Sequence, residues 1–199
     1  AGLQEHVSAP PVRPLPASSI FYQLNSSGQL SSDPAYAKDF WQNGALIVAV
    51  RRPGCMMSRE QAQSLAAAFS SLVDESLPRQ PRLVGIIRQA HLICHDDGPS
   101  ETEAFQEYFP GEMFVDPNLM VFKAFGDRAF TESVMSKDHA IWMLQRMHAT
   151  KSRKIVGNFV GGPDVSLKFG GSMLVDKAGA ILWSHQEGIG SIDYAAMKS

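Results

Sequence analysis

The chain reads as an α/β layered domain built on a mixed sheet. Between residues 44 and 125, apolar runs of strand length alternate with helical patterns, which is how βαβ units look in sequence. Near the end, two short apolar runs flank Lys177-Ala-Gly179, the signal of an antiparallel hairpin. With 199 residues, 44% of them hydrophobic, one full-sized core can be buried.

Taken in order, residues 1–38 carry Pro10, Pro11, Pro14, Pro16 and Pro34 among Ser and Gly, with little apolar periodicity. They predict a proline-rich extended arm outside a domain at 39–199, with Ile20-Phe21-Tyr22 able to anchor it on the domain or a partner. The unbroken apolar run 44–50 predicts a buried strand. The turn Arg51-Arg-Pro-Gly54 leads into a helix over 56–74 with small and apolar residues on one side. A break at Pro78–Pro81 precedes a second buried run at 82–88. Residues 101–108 suit a short helix, with Ser100 as N-cap and Glu103 at the capping-box position. A short strand at 112–115, stopped by Asp116-Pro117, is followed by a helical piece at 118–125. Residues 126–160 form an insertion, with an amphipathic helix over 138–149 through Ile141, Leu144 and Met147. The hairpin at 172–183 and a short helix at 191–198 close the chain.

Composition excludes several classes of function. A net charge of −2 gives no reason to expect nucleic acid or an anionic membrane as partner. Two cysteines make no disulfide framework. No apolar stretch approaches the ~20 residues that span a bilayer, so no transmembrane segment is expected. Gly161-Gly162-Pro163 and Gly170-Gly171 lack the Lys-Ser/Thr and the strand–loop–helix frame of a phosphate loop, and no cofactor is expected. The chain begins with Ala1, as a mature form would after loss of a targeting segment; the expectation is an organelle, chloroplast or mitochondrion, with the cytoplasm as the alternative.

Chemistry concentrates at Cys55. A buried strand, a Pro-Gly turn and a helix place its thiol at a helix N-terminus, where unpaired N–H groups and the macrodipole favour negative charge. Two arginines just upstream act in the same direction, and such surroundings raise a thiolate fraction. The spacing Cys55-Met-Met-Ser58 leaves one sulfur where a dithiol motif has two. The expected catalytic set is Cys55, Ser58 and Arg52. In the reactive reading, the thiolate attacks a peroxide oxygen or a disulfide sulfur, and Arg51 or Arg52 stabilises the anion. Ser58, one helical turn on, donates a hydrogen bond to the sulfur. In the inert reading, a vestigial cysteine lies buried under Met56 and Met57. Cys94, in His91-Leu-Ile-Cys-His-Asp-Asp97, could resolve Cys55 only if its loop folds back over the sheet. The spacing of that cluster matches no closed zinc site, so no metal is expected. Arg146, His148, Lys151, Arg153 and Lys154 are the one basic concentration, read as a solvated helix end or a docking patch for an acidic partner.

Four stretches carry a resemblance. Residues 46–60, Leu-Ile-Val-Ala-Val-Arg-Arg-Pro-Gly-Cys-Met-Met-Ser-Arg-Glu, resemble the active-site segment of the peroxiredoxin-like 2 proteins, which include selenoprotein U and prostamide/prostaglandin F synthase. Tyr108-Phe-Pro-Gly-Glu-Met-Phe-Val-Asp116, Phe169-Gly-Gly-Ser-Met-Leu-Val-Asp176 and Ile181-Leu-Trp-Ser-His-Gln-Glu187 are similar to further motifs of the same family, in the same order. The resemblance covers roughly 40–190 and is weakest over 126–160. It implies a thioredoxin-like fold: a mixed central sheet flanked by helices, with the N-terminal arm and an insertion before the final hairpin. It also implies thiol redox chemistry. The family's second cysteine falls on Ser58, Cys94 has no counterpart, and Gly171-Ser172 stands where a thioredoxin fold usually has a cis-proline. His185 is then either a hydrogen-bonded surface histidine or a proton-transfer group.

Two functions follow. One is a peroxiredoxin-like thiol oxidoreductase using a single cysteine, weak or dependent on an external thiol such as glutathione, with a peroxide or disulfide as substrate. The other is a redox-inactive accessory subunit of a larger, organellar or membrane-associated, assembly that docks through the arm and the 126–160 insertion around Trp142.

Overall fold

The computed structural model describes residues 11–25, 28–71, 73, 80–88, 101–128, 141, 144–146, 148, 150, 154–157, 168–187 and 197. Strands β1 (Ile20–Leu24), β2 (Leu30–Tyr36), β3 (Ala45–Ala49), β4 (Arg82–Arg88), β5 (Glu112–Asp116), β6 (Gly171–Val175) and β7 (Ile181–Gln186) form one sheet in the order β2-β1-β5-β4-β3-β6-β7. The central strands β3, β4 and β5 run parallel, and both flanks are antiparallel. Helices α1 (Ala37–Phe40), α2 (Met56–Ser70), α3 (Glu101–Gln106) and α4 (Met120–Ala124) complete the described elements.

Side chains alternate across a strand, so a strand covered on both faces has to be apolar throughout. All five residues of β3 are buried. Ala45, Ile47 and Ala49 join one cluster with Val84, Ile86, Phe114 and Met173, closed by Phe40 of α1 and by Val121 and Phe122 of α4. Leu46 and Val48 join the opposite cluster with Ile87, Met113 and Val115, under Leu65 and Phe69 of α2 and Phe105 of α3. In the last hairpin, the Asp176 carboxylate accepts the N–H groups of Ala178 and Ala180, and Gly179 turns the chain at φ +81°.

The proline-rich arm is corrected. Within residues 11–36, β1 and β2 form an antiparallel hairpin, and β1 pairs with β5, so the segment extends the sheet. Phe21 is fully buried and packs its ring 4.9 Å from that of Phe40. Pro34 does not break this hairpin because it lies in the edge strand β2, where one side of the ladder needs no donor. Residues 1–10 lie outside the described residues. So do Cys94 and its cluster, Ser100, Trp142, most of the insertion, and all of the proposed 191–198 helix except Met197. The helix expected over 138–149 is helical at its described positions 141, 144–146 and 148. Among the described residues, no helix is long and apolar enough to cross a membrane.

The packing of Phe21 gives a direct test of the hairpin. Phe21→Ala should lower the unfolding free energy by about 3–5 kcal/mol in urea denaturation, the cost of truncating a core phenylalanine. A neutral result would mean that β1 lies off the domain.

Candidate functional site at the head of helix α2

The site lies at the carboxyl end of the parallel strand β3, the edge of an α/β sheet where loops carry chemistry. After Ala49 the chain leaves the sheet through Val50 and turns at 51–54. Cys55 donates its N–H to the Arg52 carbonyl (3.1 Å) and accepts the first helical bond, from Arg59 N–H (3.0 Å). Cys55 is the N-cap of α2, with extended backbone (φ −79°, ψ 125°). Its side chain makes no capping bond and is 1% exposed.

Arg51 holds the sulfur. Its Nη2 donates to Cys55 Sγ at 2.9 Å and its Nε to Glu187 Oε1 at 3.1 Å, with the arginine side chain 3% exposed. Burial opposes the guanidinium's charge. The attraction of Cys55 and Glu187, with the hydrogen bonds to both, outweighs it and holds the arginine above its ordinary pKa. Glu187 follows β7 and closes the far side. Gly170 N–H donates to its Oε2 (2.9 Å), while its own backbone bonds to the Gly170 carbonyl (3.1 Å) and accepts Arg128 Nη2 (2.7 Å).

Of the expected trio, the structure brings only Cys55 to the centre. Arg52 turns away from the sulfur and pairs through Nε and Nη2 with the carboxylate of Glu101 at the head of α3. The neighbouring Arg51 takes the place expected for it. Ser58 is buried, yet among the described residues its hydroxyl has no hydrogen-bond partner, so the expected bond to the sulfur is absent. It borders a cavity of about 10 Å³, lined by Val48, Arg51, Gln61 and Glu187 among others. That is room for roughly one water.

The cover over the thiol includes Met56 and Met57, as the inert reading expects, and also Ile155 and Tyr108, to which the sequence did not point. Ile155 packs with Cys55, Met56 and Met57, and Tyr108 lies against the same cluster. Lys154 takes a left-handed turn (φ 58°) into the short strap 155–157. Two groups hold its backbone: Arg59 Nη1 donates to the Val156 carbonyl (2.7 Å), and Val156 N–H donates to Tyr108 Oη (3.3 Å). Arg59 also donates to the Pro53 carbonyl (2.9 Å) and sits over the Tyr108 ring. Gly157 lies so close to the helix head that a Cβ there would meet Gly54 O and Met56 N at 2.8 Å. Arg146, in the insertion, pairs with Glu60 of α2 (2.6 Å), so that basic residue braces the insertion rather than facing solvent alone.

His185 of β7 is paired in register with Ser172, two residues from Glu187. Burial pushes its pKa down; Glu187 opposes this, and Arg146 and Arg128 add to it. The folded state therefore prefers neutral His185, and the unfolded state binds the proton more readily. Its contribution to stability is present above pH 6.5 and is lost as pH falls through 6.5 towards the lower folded value. His185→Gln should flatten the fall in unfolding free energy between about pH 7.5 and 5.5. An unchanged pH profile would place the imidazole in water.

Comparison with known proteins bears on this geometry. The family model described as AhpC/TSA antioxidant enzyme matches residues 80–188, a stretch that includes Glu187 and begins after Cys55. Peroxiredoxin-like 2A of Homo sapiens is 40% identical over 81 residues, 40% of this chain and 31% of that protein. The Gallus gallus protein of the same name is 35% identical over 107 residues, 52% of this chain and 43% of the relative. The chain thus spans about a third to two fifths of the length of the curated relatives it matches. Among solved structures, copper-bound ScoI of Arabidopsis thaliana superposes with a TM-score of 0.51 at 10% identity, covering 92% of this chain and 94% of that one. A putative electron transfer protein of Aquifex aeolicus VF5 gives 0.50 at 8% identity, covering 89% and 85%. At such identity these likenesses speak for the fold alone, which is thioredoxin-like. The chain belongs to the AhpC/TSA antioxidant enzyme family, with the peroxiredoxin-like 2 proteins as its relatives.

Proposed function

We propose that this protein is a single-cysteine thiol oxidoreductase that reduces a peroxide at Cys55 and is returned to the thiol by an external thiol. The observation that carries this reading is the hydrogen bond from the buried Arg51 Nη2 to Cys55 Sγ at the head of a 15-residue helix. Cationic hydrogen-bond donors and a helix N-terminus both favour the thiolate, the nucleophilic form. Attack on a peroxide breaks its O–O bond: the sulfur loses two electrons to become a sulfenic acid, and the departing oxygen takes a proton and leaves as water or an alcohol. One external thiol then displaces water from the sulfenic acid to give a mixed disulfide. A second thiol attacks that bond, freeing Cys55 and leaving as a disulfide. Ser58 cannot resolve the intermediate, because a hydroxyl forms no disulfide.

The burial of Cys55 under the strap favours a second reading, a redox-inactive accessory subunit of a larger assembly. Exposed Ile141, Leu144 and Val156 on the insertion side give that reading its contact surface. The two readings differ in whether a peroxide reaches the sulfur.

Intact-mass analysis after peroxide treatment separates them. Wild type should gain one oxygen, or one glutathione when glutathione is present, and Cys55→Ser should not. Equal masses for the two proteins would favour the accessory subunit. The strap has its own test. Gly157→Ala should lift the strap and speed labelling of Cys55 at pH 7 at least about tenfold, a change of about 1.4 kcal/mol in strap opening. Wild-type labelling as fast as in denaturant would mean that the strap shields nothing.

A further inference from the structure

We propose that Glu187 is a positioning residue for Cys55: its carboxylate fixes Arg51 so that the guanidinium fork faces the sulfur. This deepens the thiol-oxidoreductase reading and rests on it.

A guanidinium is planar, and its donors diverge in fixed directions, so tying one N–H sets where the others point. Arg51 Nε is tied to Glu187 Oε1, and Nη2 then meets Cys55 Sγ at 2.9 Å. Glu187 can act as an anchor because it is itself held. Its second carboxylate oxygen accepts Gly170 N–H, its backbone N–H reaches the Gly170 carbonyl, and Arg128 grips its carbonyl oxygen. Gly170 immediately precedes β6, whose first residue Gly171 pairs with Ala49 of β3 and with Gln186 of β7. The anchor is thereby fixed to the strand that delivers Arg51 and Cys55. Other charges around the anchor are Arg128 and His185, both of which act on Glu187, and Arg146, which acts on His185; Arg59 bonds the Pro53 carbonyl in the cysteine turn, and Arg52 is occupied with Glu101.

A carboxylate beside a thiolate has two opposed effects, and their signs separate positioning from plain charge. Through space, its negative charge disfavours the thiolate. Through Arg51, it holds a cation against the sulfur and favours it. The experiment is a pH titration of thiolate absorbance at 240 nm, taken as the difference from Cys55→Ser so that Cys94 cancels. If Glu187 acts by positioning, Glu187→Ala raises the midpoint of Cys55 by about one pH unit. Glu187→Asp, which keeps the charge but falls one methylene short, also raises it. In an Arg51→Met background, the same Glu187→Ala change no longer raises the midpoint and lowers it instead. Should Arg51→Met lose its fold, judged by circular dichroism, Arg51→Lys replaces it, since one ammonium lacks the fork that serves both partners.

A midpoint that is unchanged or lowered by Glu187→Ala with Arg51 intact overturns the proposal. An equal rise in both Arg51 backgrounds also overturns it. The titration reads ionisation and needs no turnover, so failure of the peroxide experiment and failure of this one are separate results.

Discussion

A guanidinium buried between a sulfur and a carboxylate constrains everything around it. Withdrawing a charge from water costs several kcal/mol unless partners replace the lost hydration. Arg51, 3% exposed, finds such partners near and far along the chain, among them Cys55 four residues on and Glu187 beyond the last strand. The arginine is satisfied only when β3, β6 and β7 stand in register, because β6 pairs with both of the others. Charge burial at the site and strand order in the sheet are one condition. A disturbance of the final hairpin is therefore felt at the thiol.

The same head of α2 carries two opposed properties. A cationic donor and a helix terminus face the sulfur, while Ile155, Met56, Met57 and Tyr108 keep it from solvent. Arg59 ties these together: one guanidinium bonds the Pro53 carbonyl in the cysteine turn and the Val156 carbonyl in the strap. A thiol covered in this way reacts only as often as its cover opens. The stability of the strap, rather than the sulfur alone, then sets the rate at which any reagent reaches Cys55.

Much of the parallel body was legible because burial on both faces leaves an unambiguous trace. The runs at 44–50 and 83–87 have no polar interruption, and the observed β3 and β4 are built on them. The N-terminal hairpin was not legible. Five prolines read as an unpaired arm, and only the sheet's edge position makes Pro34 compatible with a strand. At the site, the helix-capping position of Cys55 could be read from strand, turn and helix. The choice between Arg51 and Arg52 could not, since adjacent residues in a turn diverge according to dihedral angles that residue type does not fix. Ser58 misled for a related reason. Three-residue spacing brings side chains together between helical residues, whereas Cys55 is a cap with extended backbone. Glu187 meets Arg51 across 136 residues of sequence, a separation at which local pattern carries no information.

The most direct measurement is a high-resolution crystal structure of the reduced protein. Arg51 should be buried, with Nη2 within hydrogen-bonding reach of Cys55 Sγ and Nε on the Glu187 carboxylate. Arg51 turned to solvent, or Arg52 in its place on the sulfur, would contradict it.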